Sequence, residues 1–426
     1  MNVLLIKPPE SSRFNFGTFS CAVLAAYVRD VAAISIFDAT NFTVYRASSR
    51  ILQNKYDLIG ITVMSPASVA GACALIRSVC RLGKQMGTPV PPIVCGGHGA
   101  SMYPYPLLAA GADTVVSGPG ERSFRSILLN TAVDVPGTIR LSGRELVRIP
   151  AAAAVPPKEL PMPARDLLNV PAGGIHLMET SRGCPHHCSF CETSRFYAHK
   201  WSAFPAGRVA AEAQNLVERH NAWMILLADD NFAASAPRIL EISRLLREGP
   251  LPLFFLASAR IDDLSADSRI LPALAEARIA RISVGIETID DEPGKKIGKG
   301  YSLDLCRDAI TAMHRLGMYT VASFIVGLPG ETAHGREGML NAAVAVGADS
   351  ITFVPFHPLP QGTERTCAEI RLPSPGDEKT ANELTMAFHS HSEVIARRKK
   401  AAGEDSLRGI ITRAAMNKSM DQVLTT

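Results

Sequence analysis

Apolar and polar residues follow a recurring order over residues 1–125, in which short apolar runs are followed by longer stretches with apolar residues at helical spacing. Strands that alternate with amphipathic helices are typical of βαβ units and a parallel sheet. We therefore expect an α/β domain here, a doubly wound Rossmann-like sheet. Its five strands are predicted at Asn2–Ile6, Ala33–Phe37, Leu58–Val63, Pro92–Cys95 and Thr114–Ser117.

A second alternation of the same kind covers residues 173–363 and predicts a partial βα barrel of six repeats. Residues 126–172 are rich in Pro and Ala without sustained periodicity, which predicts a linker. Residues 364–426 are predicted as a short helical C-terminal tail. The barrel strands are predicted at Ile175–Met178, Trp223–Ala228, Leu253–Ala259, Arg281–Ile286, Thr320–Val326 and Ser350–Phe356.

Composition narrows the class of protein. The chain has 426 residues, of which 47% are hydrophobic and 20% charged, enough apolar material for two globular cores. Its net charge of +4 comes from interleaved acidic and basic residues, so no footprint for nucleic acid is indicated. Lys7-Pro8-Pro9 interrupts the first apolar run too early for a signal peptide, and no apolar stretch is long enough to span a bilayer. We expect a cytoplasmic protein without membrane insertion.

One group of thiols stands out among the nine cysteines. Cys184, Cys188 and Cys191 follow the first predicted barrel strand with C-x3-C-x2-C spacing in a single loop. Fe–S clusters usually have four cysteine ligands, so three thiolates would leave one iron open to an outside ligand. A Cys3His zinc site is the alternative, since His186 and His187 lie in the same loop, although no second pair of zinc ligands follows.

With Phe190 as the aromatic residue before the last cysteine, this loop resembles the signature of the radical S-adenosylmethionine (SAM) superfamily. The resemblance implies that the three cysteines hold a 4Fe–4S cluster and that SAM chelates the open iron through its amino and carboxylate groups. It also implies that an electron cleaves SAM into methionine and a 5′-deoxyadenosyl radical. A reducing partner such as flavodoxin or ferredoxin would supply that electron.

The ends of the later barrel strands carry residues that resemble the SAM-binding positions of the superfamily. Asp229 and Asp230 would face the ammonium group of SAM, and Arg260 would pair with its carboxylate. Glu287 resembles the acid that contacts the ribose, and Gly327 lies in a stretch that resembles the adenine-binding segment. An acidic helix N-cap and a structural salt bridge are the alternatives for the aspartates and the arginine. No catalytic acid or base is assigned.

The N-terminal domain has small, glycine-rich loops after its predicted strands, where open α/β sheets bind ligands. Together with the barrel, these loops resemble the cobalamin-binding domain of one large radical SAM class. The Asp-x-His-x-x-Gly motif that supplies a lower histidine ligand to cobalt is absent after the first strand, where Lys7-Pro8-Pro9 stands. The predicted cobalamin-binding residues are Thr62, Ser65, Gly96, Gly97, Gly118, Gly120 and Glu121.

The resemblance implies an enzyme, and the leading hypothesis is a cobalamin-dependent C-methyltransferase that acts on an unactivated carbon of a small molecule or biosynthetic intermediate. A radical SAM enzyme that does not methylate, such as an oxidative cyclase, is the alternative within the same superfamily. A non-catalytic cobalamin- or redox-binding module is the alternative from another class. The sequence does not identify the substrate.

Overall fold

The structure is a computed structural model that describes residues 1–10, 17–130, 134–151, 153–170, 174–249, 253–289, 291–360, 364–370, 373–404 and 406–416. The chain divides into two units. The first comprises Met1–Asn169, Arg195–Ala198 and Pro358–Leu372, and the second comprises Val170–Ser194, His199–His357 and Pro373–Thr426. Within the described residues, no helix is both long and apolar enough to cross a membrane.

The first unit is built on a sheet of seven strands. The strands are β1 (Asn2–Lys7), β2 (Ala33–Asp38), β3 (Leu58–Thr62), β4 (Ile93–Gly96), β5 (Thr114–Val116), β6 (Thr138–Ser142) and β7 (Glu145–Arg148). Their order is β2-β1-β3-β4-β5-β6-β7, with the first five parallel and the last two antiparallel. The helices are α1 (Phe19–Val28), α2 (Val44–Leu52), α3 (Pro66–Met86), α4 (His98–Met102), α5 (Pro104–Ala109) and α6 (Glu121–Leu129).

Helices cover both faces of this sheet. In β1, Leu4 and Ile6 belong to one apolar core, which includes residues of α2, α3 and α5. Val3 and Leu5 belong to the other core, which includes residues of α1 and α6. This alternation follows from the two-residue period of a strand buried on both sides. The predicted doubly wound α/β fold is confirmed.

The structure differs from the sequence-based expectation over residues 126–172. This segment was predicted as a linker, but α6 continues to Leu129, and β6 and β7 extend the sheet beyond the five predicted strands. The two added strands form an antiparallel hairpin in which every β7 residue is at least partly exposed. A strand with so little burial lacks the apolar run by which strands are identified in a sequence. Two short 3-10 turns follow, at Pro157–Glu159 and Arg165–Leu167.

The second unit contains the predicted barrel. Its strands are β8 (His176–Met178), β9 (Ser181–Gly183), β10 (Trp201–Ala203), β11 (Met224–Leu227), β12 (Phe254–Ala259), β13 (Ile279–Glu287), β14 (Tyr319–Val326) and β15 (Ser350–Pro355). Six strands form a parallel sheet in the order β15-β14-β13-β12-β11-β8, and β9 and β10 form a separate antiparallel ribbon. Because β8 and β15 are edge strands among the described residues, the expected partial βα barrel is confirmed as an open sheet.

The helices from residue 192 onward complete the described elements. They are α7 (Glu192–Phe196), α8 (Ala206–His220), α9 (Ala236–Glu248), α10 (Ile261–Ser265), α11 (Ile270–Glu276), α12 (Asp291–Ile297), α13 (Leu303–Arg315), α14 (Ala333–Val346), α15 (Pro375–Ser390), α16 (Ser392–Ala402) and α17 (Leu407–Met416), with a 3-10 turn at Cys367–Glu369.

The C-terminal region is more than the predicted tail. Ile370 is 6% exposed and belongs to the α2–α3 core of the first unit. Ile411 of α17 packs in the second unit with Met224, Leu256 and Tyr319, which come from three strands of the open sheet. The side chain of Ile411 thus covers apolar residues of the sheet near the amino ends of those strands. The physical reason is burial of apolar area that the open sheet would otherwise expose.

Candidate cluster and cofactor sites

The three cysteines lie on a loop whose base is closed by the β9–β10 ribbon. β9 ends at Gly183, directly before Cys184, and Trp201 of β10 lies opposite Gly183. Cys184 is buried, whereas Cys188 and Cys191 are half-buried. Burial raises the pKa of Cys184 and of Cys188, and the nearby Cys191 raises both further. The three thiols therefore lie close enough to one another for a charge on one to affect the others.

Asp229, which follows β11, holds the chain just before the cysteine loop. Its carboxylate accepts hydrogen bonds from the backbone N–H and hydroxyl of Thr180 at 2.7 and 2.5 Å, and from the hydroxyl of Ser181 at 2.6 Å. Asp229 is only 5% exposed, and a buried carboxylate needs such donors. Both oxygens of Asp229 bind the loop, and its predicted contact with the ammonium group of SAM stays a prediction.

Asp230 joins the two ends of the cysteine loop. Its carboxylate accepts a hydrogen bond from the backbone N–H of Gly183 and one from the hydroxyl of Thr193, each at 3.0 Å. Burial raises the pKa of Asp230 to about 6, although these two hydrogen bonds oppose the rise. Gly183 precedes the first cysteine and Thr193 follows the last, so one side chain fixes the loop at both sides. Its predicted contact with SAM stays a prediction.

Arg260 lies at the end of β12 with its guanidinium buried. Nε and Nη2 bind the carboxylate of Asp262 at 3.0 and 2.8 Å, and Nη1 donates to Sγ of Cys188 at 3.1 Å. Its Cζ lies 5.6 Å from the centre of the Tyr301 ring. The structure therefore brings Arg260 to the cysteine loop, as predicted, and adds the thiol contact, which the sequence did not indicate. Its pairing with the SAM carboxylate stays a prediction.

Glu287 ends β13 and forms an ion pair that the sequence analysis missed. Lys299 Nζ lies 2.7 Å from Glu287 Oε1 and 3.0 Å from the carbonyl oxygen of Gly285. A Cβ on Gly285 would lie 2.6 Å from Lys299 Nζ, so the absence of a side chain there makes room for the ammonium group. A buried acid at a strand end requires a cation nearby, but the sequence alone does not say which lysine supplies it.

Phe190 lies against an apolar patch near the cluster loop. It is half-buried and packs with Ile297, Ile325 and Leu328. Its ring centre lies 5.7 Å from Lys299 Nζ, within reach of a cation–π interaction. The aromatic residue of the cysteine signature therefore connects the loop to α12 and to the end of β14.

Gly327 follows β14 in a conformation that only glycine adopts readily. Its φ is +87°, and an added Cβ would lie 2.5 Å from a carboxylate oxygen of Asp377. Its N–H donates to Glu331 Oε2 at 3.0 Å, and the same oxygen pairs with Arg336 at 2.6 Å. The other oxygen, Oε1, is buried without a hydrogen-bond partner in the described part of the chain. This segment thus contains an acceptor that a ligand N–H or O–H could satisfy.

A row of hydroxyl groups lies on the same face of the open sheet. Ser258 is two residues before Arg260 and pairs in register with Ser283, which is two residues before Gly285. Side chains two apart in a strand share a face, so both hydroxyls lie on the face that carries the Cys188 and Lys299 contacts. Both side chains are partly exposed, and neither forms a hydrogen bond among the residues the structure describes. They are free to bind a ligand.

The predicted cobalamin-binding residues lie on the loops after β3, β4 and β5 of the first unit. Ser101, which the sequence analysis missed, joins two of these loops. Its hydroxyl donates to the carbonyl of Gly97 at 2.9 Å and accepts from the N–H of Gly118 at 3.0 Å. The sequence gives no signal that identifies Ser101 as a residue of this site. Its contact with Gly118 joins two loops that are separate in the sequence.

The other predicted residues of this region have internal partners. The hydroxyl of Thr62 lies 3.3 Å from that of Ser20. Ser65 is the N-cap of α3, accepting from the N–H of Ser68 at 3.2 Å. Glu121 is buried in the first turn of α6. In the structure, the Ser65 side chain therefore caps the N-terminus of α3, and its contact with cobalamin stays a prediction.

His98 begins α4, next to Gly96 and Gly97, and is neutral at physiological pH. Its ring stacks on Phe196 with centres 3.8 Å apart. Burial lowers the pKa of His98 to about 4, and within the described ranges the imidazole has no hydrogen bond. A half-buried imidazole whose nitrogens form no hydrogen bond among the described residues can donate a hydrogen bond to a ligand or accept one from it.

The residues present fit the implied cofactors. The three interacting thiols, the nearby cations and the unsatisfied Glu331 oxygen suit a three-thiolate cluster with SAM. In the first unit, a Cβ at Gly96 or Gly120 would come no closer than 4.0 or 3.5 Å to any described residue. Internal packing does not require glycine at these two positions. Without a side chain, the backbone at Gly96 and Gly120 is instead accessible to a large ligand.

Comparison with protein families gives two domain matches. Residues 11–128 match the B12 binding domain, and residues 178–343 match the radical SAM superfamily. The first domain implies cobalamin, and the second implies a 4Fe–4S cluster and SAM. The cysteine loop, Asp230, Arg260 and Glu287 all lie inside the second match.

Among individual relatives, one is named as a methyltransferase and another as a cyclase. The chain is 27% identical to an uncharacterized methyltransferase of Pyrococcus horikoshii, over 84% of this chain and 81% of the relative. It is 26% identical to the anaerobic magnesium-protoporphyrin IX monomethyl ester cyclase of Rubrivivax gelatinosus, over 73% of this chain but only 58% of that protein.

Among solved structures, the radical SAM methyltransferase TsrM from Kitasatospora setae, determined with cobalamin and a 4Fe–4S cluster, has the same fold. The TM-score is 0.70 at 21% identity, over 83% of this chain and 74% of TsrM. The chain therefore combines a B12 binding domain, residues 11–128, with a radical SAM domain, residues 178–343, in this order.

Proposed function

We propose that this protein is a cobalamin-dependent radical SAM C-methyltransferase that acts on an unactivated carbon of a small molecule or biosynthetic intermediate. The observation that supports it most is the three-cysteine loop, braced by Asp230, in a chain that also carries a B12-binding domain. When bound, the cluster and SAM would supply a radical that abstracts a substrate hydrogen, and cobalamin would supply the methyl group.

The protein's own residues would bind and orient these groups. Cys184, Cys188 and Cys191 would ligate three irons, while Asp230 keeps the ends of their loop in place. Phe190 and its apolar neighbours would exclude water from one side of the site.

The substrate would lie on the sheet face that carries Ser258 and Ser283, whose hydroxyls are available. The ion pair of Glu287 with Lys299 leaves no net charge there. This neutral, hydroxyl-lined face supports an uncharged region of the substrate near the reacting carbon, and the substrate's identity is left open.

The electron donor and the location are parts of the same proposal. A flavodoxin or ferredoxin would reduce the cluster, because radical SAM chemistry requires a low-potential electron. The absence of a membrane-spanning helix among the described residues is compatible with the cytoplasmic location that we propose.

A second candidate function is oxidative cyclisation without methyl transfer. It is supported by the similarity to the magnesium-protoporphyrin ester cyclase, which extends over 73% of this chain. Both activities would use the same cysteine loop, so the fold does not separate them. A non-catalytic binding module is disfavoured, because all three cysteines and their bracing contacts are present.

The test begins with anaerobic reconstitution of the full chain with iron, sulfide and hydroxocobalamin. After addition of SAM and a reductant, we expect 5′-deoxyadenosine, together with S-adenosylhomocysteine in amounts that match the bound cobalamin. Cys188→Ala should abolish 5′-deoxyadenosine, whereas Cys80→Ser, a partly exposed cysteine of the first unit, should not.

The products separate the candidates. 5′-Deoxyadenosine without S-adenosylhomocysteine would favour the non-methylating enzyme over the methyltransferase. A fully reconstituted protein that forms neither product would contradict both enzyme functions.

A further inference from the structure

Cys188 differs from Cys184 in its charged surroundings. The positively charged guanidinium of Arg260 donates a hydrogen bond to the Cys188 sulfur at 3.1 Å. The partners of Cys184 are neutral, namely the side chain of Asn231 and a backbone N–H. The cluster loop is therefore electrostatically asymmetric.

The guanidinium of Arg260 is held rigidly in its position at the sulfur. Asp262 binds Nε and Nη2, which leaves Nη1 aimed at Cys188. Asp262 is in turn fixed by the hydroxyl of Tyr301 at 2.9 Å, and the backbone N–H of Arg260 donates to Asn231 at 3.3 Å. A side chain fixed by this many contacts loses little entropy when it donates to a cluster ligand.

We infer that Arg260 sets the reduction potential of the cluster by donating a hydrogen bond to the Cys188 thiolate. Reduction adds negative charge to a cluster and its thiolates, so a donor fixed at one sulfur stabilises the reduced state more than the oxidised state. Hydrogen bonds to cluster sulfurs are among the main determinants of Fe–S potentials. Arg260 therefore raises the potential and makes the cluster easier to reduce.

The direction of the hydrogen bond, rather than net charge, carries this effect. Arg260 and Asp262 form an ion pair at 2.8 Å, so together they add no net charge next to the cluster. The remaining contribution is the N–H of Arg260 that is directed at the Cys188 sulfur. Arg260 is only 8% exposed. Low exposure strengthens such a contact, because little water competes for the sulfur. The inference rests on the cluster of the proposed function but does not depend on methyl transfer.

The test compares Arg260→Met with a matched variant, Arg408→Met. Arg408 is also 8% exposed and pairs with an aspartate, Asp349, at 2.8 Å. Asp349 precedes β15, whereas Arg260 follows β12, so the two arginines lie at opposite strand ends. The reconstituted full chain is titrated with a reductant in the absence of SAM, and the reduced cluster is followed by electron paramagnetic resonance. Iron content is measured in each variant.

We expect the potential of Arg260→Met to fall, with the ratio of reduced to oxidised cluster at a given ambient potential lowered by up to about tenfold, or ~59 mV for one electron. Arg408→Met should titrate like the wild type. Arg260→Lys keeps the positive charge but cannot reach both Asp262 and Cys188, so we expect a smaller fall in the reduction potential. If Arg260→Met fails to load iron, the potential of Arg260→Lys decides the question.

Unchanged potentials in iron-loaded Arg260→Met or Arg260→Lys would overturn the inference. In that case, a loss confined to SAM affinity would assign Arg260 to the SAM carboxylate alone. Failure of the proposed function is a separate result, since it would appear as a wild-type enzyme that forms no 5′-deoxyadenosine whatever the potential of its cluster.

Discussion

Lys299 forms a nearly buried ion pair with Glu287, in which Nζ lies 2.7 Å from Oε1 and the side chains are 9% and 10% exposed. Glu287 has a φ of +68°, a left-handed conformation that is uncommon outside glycine. The lysine also donates to the carbonyl of Gly285, two residues earlier. The ion pair therefore stabilises both the turned backbone at the end of β13 and the orientation of the acid.

Lys299→Met should lower the free energy of unfolding of the protein by roughly 3–5 kcal/mol, because it leaves the Glu287 carboxylate buried without its cation. The double variant Lys299→Met/Glu287→Gln should recover part of this loss, since the remaining group is uncharged. Urea unfolding followed by circular dichroism measures both. Additive effects of the two substitutions would show that the side chains act independently.

Asp230→Asn should weaken iron retention by roughly tenfold, the scale seen when a group that orients metal ligands is changed. The amide can still accept one hydrogen bond, but it cannot bind the Gly183 N–H and the Thr193 hydroxyl as strongly as the carboxylate does. Iron is measured after chelator challenge of the reconstituted protein. Asp304→Asn, at an acid whose side chain is 76% exposed, is the control and should retain iron like the wild type. Equal retention in both variants would argue against the bracing role of Asp230.

Gly327→Ala should destabilise the protein by roughly 1–3 kcal/mol, because alanine is strained at a φ of +87° and its Cβ would meet the Asp377 carboxylate. Gly338→Ala is the matched control, since Gly338 lies inside α14 and an added Cβ meets no atom of the described residues within 4 Å. There we expect a gain of about 0.5–1 kcal/mol. Thermal unfolding distinguishes the two, and similar behaviour of both variants would contradict the predicted crowding at Gly327.

In cobalamin-free protein, the contribution of His98 to stability should fall as the pH falls from about 6.5 towards 4. Burial lowers the pKa of folded His98 to about 4, whereas an unfolded histidine titrates near ~6.5. Between these values the unfolded state binds more protons, so stability rises with pH and falls with acidification, by up to about 3 kcal/mol. His98→Gln should remove this contribution, so the unfolding free energy of the wild type minus that of the variant should fall as the pH is lowered across the window in urea unfolding. A variant with the same slope as the wild type would rule out His98 as its source.

The sequence alone determined the elements with strong local patterns. All six barrel strands and the five parallel strands of the first unit were predicted close to their observed bounds, because each is a short apolar run between helical segments. The cysteine loop was identified for a similar reason. Its three cysteines lie within eight consecutive residues, from Cys184 to Cys191, so their proximity is a property of the local chain.

Tertiary structure decided the partners of the charged residues and the weakly patterned segments. Lys299 with Glu287, Arg260 with Cys188 and Asp230 with both loop ends are contacts between separate segments of the chain, which only the folded open sheet brings together. The β6–β7 hairpin is stabilised by pairing with β5 and by the packing of Ile139, Leu141 and Leu146 against the α2–α3 core, without a long buried run of its own. Hydrophobic periodicity reports which residues are buried, but the pairing of buried charges depends on the three-dimensional register of distant segments, which periodicity does not encode.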